Sequence, residues 1–274
     1  MPAALVTGAS SGIGLELARI LAREHHDLVL VARSESRLVE LGNELSGRYG
    51  VQCLPLAADL AGPGAPAELV RRVQDNGVEV DVLVNNAGFG LWGRFVELDW
   101  TEQAQMLQLN VVALTELTRL LVPAMVANHR GRVLNVASTA AFQPGPLMAL
   151  YYATKAYVLS FSEALAAELA ESGVTVTALA PGVTPTGFQA RAGGESSVSP
   201  SVAGAPEGKS MIERLRGLAT TSAVSVAEAG FQAMMEGRSL VVPGAMNKVG
   251  VVGIRFMPRR LVPRMVMRMQ SRGV

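Results

Sequence analysis

The stretch MALYYATKAY, residues 148–157, sets two tyrosines side by side, with a lysine four positions after the first. Tyrosine and lysine together can handle a proton. A free phenol titrates near 10, and a neighbouring ammonium favours phenolate, which lowers that value toward the working pH. On a helix, residues four apart share a face and adjacent residues do not. Tyr151 and Lys155 can therefore act together, whereas Tyr152 falls in line with Ala156. The same spacing occurs in helices that carry no chemistry, so the company these residues keep has to decide.

A second group of residues can hold an anion. TGASSGIG, residues 7–14, follows an apolar run directly and opens an amphipathic segment, LELARILARE. Glycines there permit a tight turn and close approach of the backbone to a pyrophosphate. They also allow close packing of helix on strand, while the helix N-terminus offers free N–H groups to the anion. The spacing is G-x-x-x-G-x-G rather than the commoner G-x-G-x-x-G.

Positioning both groups needs a scaffold, and the chain supplies an alternating one. The runs AALVTG, DLVLVAR, VQCLPLAADL, VDVLVNNAG, RVLNVAS, VTVTALAPG and LVVPG are short and largely β-branched. Helix-length segments separate them, among them SRLVELGNELSGRYG, a stretch from Gln105 to Ala127, and another from Tyr151 to about Ser172. Strands apolar on both faces and separated by helices indicate a parallel sheet covered on both sides. The expected fold is α/β: a single doubly wound Rossmann-type domain of about seven parallel strands. The catalytic domain is placed at 1–244, with a substrate lid at about 187–224 in the Gly/Ser/Pro-rich stretch, and a partly helical basic tail at 245–274. Ser225 with Glu228 reads as a capping box for the last helix of the domain, which Gly237 can end. His25 is expected in a left-handed turn before the second strand.

Bulk properties exclude several classes. Among 274 residues 49% are hydrophobic, and the mean hydropathy is +0.29, so a large buried core is expected. No unbroken apolar run approaches a membrane span. The first strand-like run begins almost at once, leaving no room for a signal peptide, and a cytoplasmic location is the default expectation. Cys53 is the only cysteine and there are three histidines, so neither a disulfide framework nor a metal centre is expected. The net charge is +1. Its distribution is uneven, because from Gly237 onward there is no Asp or Glu and eight basic residues. No nucleic-acid partner is expected.

With these motifs in their order, the chain resembles the short-chain dehydrogenase/reductase family over roughly residues 3–190. The family signature TGxxxGxG is met by Gly8, Gly12 and Gly14, with Ser10, Ser11 and Ile13 between them. Asn85–Asn86–Ala87–Gly88 matches NNAG, which supports the sheet and the adenosine pocket. Asp59, with Leu60 after it, matches the acid that contacts adenine, and Pro181, Gly182 and Thr186 match PGxxxT, whose threonine contacts the nicotinamide carboxamide. Asn110, Ser138, Tyr151 and Lys155 match the catalytic tetrad.

The resemblance implies these roles: Tyr151 exchanges a proton with the substrate oxygen as hydride moves, and Ser138 holds that oxygen. Lys155 binds the nicotinamide ribose, and Asn110 holds a water that connects Lys155 to solvent. At the tip of the second strand stands Arg33, with Ser34 and Arg37 near it, a basic group that suits a 2′-phosphate. Glu35 lies past the strand end, where it more naturally opens the next helix. NADP(H) is therefore favoured over NAD(H).

Phe89, Leu91 and Trp92, the segment 142–147 and the lid would surround the substrate. They are mostly apolar or small, with Arg94 and Arg191 the exceptions, so a hydrophobic carbonyl or alcohol is expected. A homodimer or homotetramer is the expected assembly. The tail PRRLVPRMVMRMQSRG reads in two ways. It is either a helix docked on its own subunit or a neighbour, the reading favoured by Pro258 and Pro263, or a basic amphipathic helix in peripheral contact with an anionic membrane. Two other functions fit the fold. One is a cofactor-sensing regulatory protein, which the presence of Tyr151 and Lys155 disfavours. The other is a sugar-nucleotide-type enzyme, which the glycine spacing and the lack of a longer C-terminal domain disfavour.

Overall fold

The computed structural model describes residues 3–185 and 221–271. Thr186, Arg191 and most of the segment 187–224 lie outside the described residues. Seven parallel strands form one sheet: β1 Ala3–Thr7, β2 Asp27–Ala32, β3 Cys53–Ala57, β4 Val80–Asn85, β5 Gly131–Val136, β6 Val174–Leu179 and β7 Leu240–Val241. Their spatial order is β3-β2-β1-β4-β5-β6-β7. The helices in chain order are α1 Gly12–Arg23, α2 Glu35–Tyr49, α3 Ala65–Asp75, α4 Trp100–Leu107, α5 Leu114–Ala127, α6 Ala149–Glu168, α7 Ala223–Met235, α8 Ala245–Arg255 and α9 Val262–Ser271. The doubly wound α/β architecture is the one the apolar runs predict.

Successive strand side chains point to opposite faces, and β1 shows how each face is used. Ala4 and Val6 join Leu17, Leu21, Leu38, Leu45, Val226 and Met234 from α1, α2 and α7. Leu5 between them joins Leu69, Val73, Leu117 and Met125 from α3 and α5 on the other face. Burying each large side chain of this kind stabilises the fold by about 2 kcal/mol.

Having crossed from β1 through β2 to β3, the chain returns to the far side of β1 to lay down β4. The chain therefore leaves β1 and β4 toward opposite faces of the sheet, and their carboxyl ends form the switch point at which open α/β sheets bind ligands in a crevice.

Three local features differ from the sequence reading. Helix α3 lies between β3 and β4, where no helix is named from the sequence; Pro66 sits in its first turn, and Pro66, Leu69, Val70 and Val73 give it a buried face. Helix α7 starts at Ala223, three residues earlier than the Ser225 box implies, because Ser222 Oγ accepts the backbone N–H of Ser225 at 3.1 Å. Between α4 and α5 the helix widens into a π turn, Gln108–Ala113.

The continuous helix Trp100–Ala127 is long and apolar enough to cross a membrane by length and composition alone. Here its buried face packs on the sheet through Ala113, Leu117, Leu121 and Met125. At the other ends the chain follows the sequence: His25 has φ 61° and Gly237 φ 70°, and Gly237 closes α7 with Arg238 N–H donating to Ala233 O at 2.9 Å.

Candidate active site

The loop Thr7–Ser11 runs from β1 into α1, and its shape requires glycine. Gly8 and Gly12 have φ 68° and 60°. A Cβ on Gly8 would lie 2.6 Å from Asn86 Nδ2 and 3.1 Å from Ala87 Cα, so the two loops of the crevice touch across it. They are also bonded. Asn86 Nδ2 donates to Thr7 O at 2.9 Å, and Thr7 Oγ1 accepts the N–H groups of Asn86 and Ala87, both at 3.0 Å. Thr7 Oγ1 itself donates to Val84 O at 3.1 Å. Thr7 was read only as part of the glycine motif; its hydroxyl is the clasp that holds the second loop to the first.

Ser11 stands at the N-cap of α1 with no side-chain cap bond, and no acid occupies the first turn. The N–H groups there stay free of side-chain caps for an anion. Ser10, Gly12 and Ile13 are half-buried around this terminus.

Farther along the sheet edge, Arg33 lies exposed just past β2 and makes no ion pair among the described residues. Glu35 begins α2, as its position in the sequence implies. Asp59 Oδ1 accepts Ala61 N–H at 3.1 Å, which fixes the loop after β3, and Leu60 beside it is buried. A nicotinamide dinucleotide fits this set: a glycine cradle that any Cβ would fill, an uncapped helix start, and an unpaired guanidinium at the strand tip.

The four proposed catalytic side chains converge beyond Gly88. A Cβ on Gly88 would meet Asn110 Oδ1 at 2.9 Å and Lys155 Nζ at 3.7 Å. Tyr151 and Lys155 share one face of α6, and both are buried. Lys155 Nζ donates to Val136 O at 2.7 Å and stands 5.9 Å from the centre of the Tyr151 ring.

Ser138 ends the strand-to-turn segment after β5. Its hydroxyl accepts Ala140 N–H at 3.1 Å and reaches Pro181 O at 3.5 Å. Burial pushes the Tyr151 phenol up to about 12, a hydrogen bond with Ser138 opposing it, and burial pulls the Lys155 ammonium down to about 8. The phenol is therefore raised, where the neighbouring lysine was expected to lower it: desolvation of the phenolate outweighs the Ser138 hydrogen bond that favours it.

Asn110 sits in the π turn, a widening that is frequent at functional sites. Its side chain brackets Phe89, donating to Phe89 O at 2.8 Å and accepting Phe89 N–H at 3.1 Å, and it donates to Thr154 Oγ1 at 3.1 Å. The amide thus ties the loop after β4 to α6.

Tyr152 points away from the lysine. Its ring meets Tyr151 edge-on at 6.1 Å, and its hydroxyl accepts Gln270 Nε2 of α9 at 3.1 Å. Pro181 is buried, and Gly182 has Asn247 of α8 against it.

Beneath the site runs a buried polar chain that sequence reasoning only half saw, through the first Asn of NNAG. Asn85 and Asn135 are partners in register on β4 and β5. Asn85 Nδ2 donates to Asn135 Oδ1 at 2.9 Å and Thr118 Oγ1 at 3.0 Å, and Asn135 Nδ2 donates to Ser162 Oγ at 2.9 Å.

The short chain dehydrogenase family matches residues 2–196. The chain belongs to the short-chain dehydrogenase family of oxidoreductases. This short-chain dehydrogenase is 35% identical over 185 residues to a ketoacyl reductase of Nostoc sp., covering 67% of this chain and 64% of that protein. It is 33% identical over 184 residues to a very-long-chain 3-oxoacyl-CoA reductase of Anas platyrhynchos, covering 65% of this chain and 58% of that one. In both cases the match spans less than two thirds of the relative's length. Among solved structures, a short-chain dehydrogenase from Sphingobium yanoikuyae in complex with NADPH is 32% identical, with a TM-score of 0.78 over 93% of this chain and 94% of that one.

Proposed function

We propose that the protein is an NADP(H)-dependent oxidoreductase that interconverts a carbonyl and an alcohol on a hydrophobic substrate, with Tyr151 as the proton donor in reduction. The observation that carries this reading is the convergence of Tyr151, Ser138 and Lys155 at the carboxyl end of the sheet, beside the glycine cradle. A phenol held near 12 is fully protonated at neutral pH, which suits the direction that gives a proton to a carbonyl oxygen.

Gly8–Gly14, Asp59, Leu60, Asn86–Gly88, Pro181 and Gly182 would hold the dinucleotide, with Thr186 added from outside the described residues. The dinucleotide supplies the hydride. Ser138 donates to the substrate oxygen and keeps it within reach of the Tyr151 hydroxyl. As the phenol gives up its proton, the Lys155 ammonium stabilises the phenolate that forms. Asn110 holds Phe89 and Thr154 so that the loop after β4 and the face of α6 keep this geometry.

Support for NADP(H) is the unpaired Arg33 at the β2 tip, together with the NADPH held by the Sphingobium yanoikuyae neighbour. Support for a hydrophobic substrate is the wall of Phe89, Leu91, Met106 and Tyr152 around Tyr151, and the acyl substrates named for the two curated relatives. Hydrophobic ketones, aldehydes and 3-oxoacyl thioesters, followed at the cofactor's absorbance with NADPH and with NADH, test the reading. Turnover with NADPH on at least one class is expected. A clear preference for NADH would sink the cofactor assignment, and tight cofactor binding without any turnover would favour a regulatory protein.

We also infer a homo-oligomer built on the outward faces of α5 and α6. Val112, in the π turn that leads into α5, and Leu120 on α5 stand exposed there, and Tyr157 is bonded to Thr115 across the two helices at 2.9 Å. Light scattering tests it, and a monomer at micromolar concentration would exclude it.

A further inference from the structure

Helix α8 turns its apolar side outward. Val249, Val252 and Phe256 are 64%, 55% and 84% exposed. At about 100° per residue they lie on one stripe of the helix, with Met246 at its edge. Asn247 and Val251 on the opposite side are buried, Val251 packing with Val242, Ala180 and Phe142. Surface helices normally show the reverse, with charges facing water.

The charges are present but border the stripe: Lys248 and Arg255 lie beside it, and Arg259 and Arg260 follow in the turn that leads to the exposed Leu261. From Gly237 to the end the sequence holds no acid, and none of these four cations makes an ion pair among the described residues. Helix α9 is meanwhile seated on the body of the protein through Val262, Val266 and Gln270, so it does not cover the stripe from that side.

We propose that the outward stripe of α8, with its basic border, docks on an anionic bilayer surface. Acidic headgroups would neutralise the arginines and lysine while Phe256 and the two valines enter the boundary of the acyl chains. A second copy of the same face would instead set uncompensated cations against each other. Because the inner side of α8 packs on Phe142, in the turn that follows Ser138, docking holds the catalytic end of the molecule close to the bilayer. The surface stands independently of the reaction assigned above.

The experiment uses the full chain and sedimentation with vesicles of phosphatidylcholine alone and of phosphatidylcholine with phosphatidylglycerol at about 7:3. About tenfold greater partition onto the anionic vesicles is expected, lost at high salt. The variants Val252→Ser/Phe256→Ser and Arg255→Glu/Arg259→Glu each reduce it toward the level on neutral vesicles, whereas Val39→Ser, at an exposed valine of α2, leaves it unchanged. Equal partition onto both vesicle types, or onto neither, overturns the proposal. So does a dimer in light scattering that Val252→Ser/Phe256→Ser dissociates, which would assign the stripe to a second copy. Turnover of a soluble ketone is read in the same samples. It stays intact in the variants if the stripe is a docking surface, and its fall in step with vesicle binding would overturn that role.

Discussion

Tyr151 and Tyr152 are adjacent in sequence, yet only the first shares a helix face with Lys155, and this makes a sharp test. Tyr151→Phe is expected to lower kcat by about a thousandfold with cofactor binding unchanged by fluorescence titration, while Tyr152→Phe, which loses only the Gln270 bond, keeps most of the activity. The opposite result would put the wrong tyrosine at the reaction. Lys155 carries a second prediction. Its ammonium falls from 10.5 in the open chain to about 8 when folded, so between those values the unfolded chain binds more protons and stability rises with pH. The folded protein thus bears the cost of a buried charge at pH 7 and sheds it as pH climbs toward 10. Relative to Lys155→Met, which cannot titrate, the wild type should gain about 2 kcal/mol in denaturant unfolding between pH 7 and 9.5; a flat difference would mean that the ammonium is solvated. At the β2 tip, Arg33→Asp should raise KM for NADPH at least about tenfold and spare NADH. The tetrad could be found in the sequence because Tyr151 and Lys155 stand four apart on one helix and, with Asn110 and Ser138, match the family's motifs in their order. The raised phenol could not, because burial is set by residues far away in the chain.

At the scale of elements, the π turn is the part that sequence could not supply. One extra residue in a helix leaves its apolar pattern nearly intact, so Gln105 to Ala127 reads as one regular helix. What betrays the turn is the buried Asn110, whose amide reaches Phe89 and Thr154. Replacing it by Leu removes its three buried hydrogen bonds, two with Phe89 and one with Thr154, at about 1 kcal/mol each. Asn110→Leu is therefore expected to lower unfolding stability by about 3 kcal/mol and to reduce kcat more than it raises KM. Stability lost with kcat retained would make the residue purely architectural. Strands were legible because apolar runs buried on two faces have no other home. The start of α7 was not, because Ser222 and Ser225 are both good caps and only the backbone path chooses between them.

For the whole molecule, the sheet and the crevice at β1 and β4 follow from the alternating pattern, and the family match covers them. The match ends at residue 196, and beyond it the sequence named a basic, partly helical tail without telling which side each helix would present. Removing residues after Pro258 uncovers the ground beneath Val262 and Val266 and takes the donor from Tyr152. Loss of several degrees in Tm is expected. Affinity for the dinucleotide should persist, because no residue of its cradle comes from α9. A truncated chain that no longer bound cofactor would show that the C-terminal helix shapes the cradle after all.

The asparagine pair across β4 and β5 has a consequence for how the chain reaches this state. Parallel strands lined by valine and leucine can slide by two residues and still bury comparable surface, so greasiness alone is a poor ruler. Slipping these two strands would separate Asn85 from Asn135 and set each amide against hydrocarbon, while Thr118 and Ser162 would keep only the carbonyls of their own helices. The pair works as a key that fits one alignment. A chain with leucine at both positions is expected to remain compact and become heterogeneous in its strand alignment, visible as multiple backbone resonances for β4 and β5.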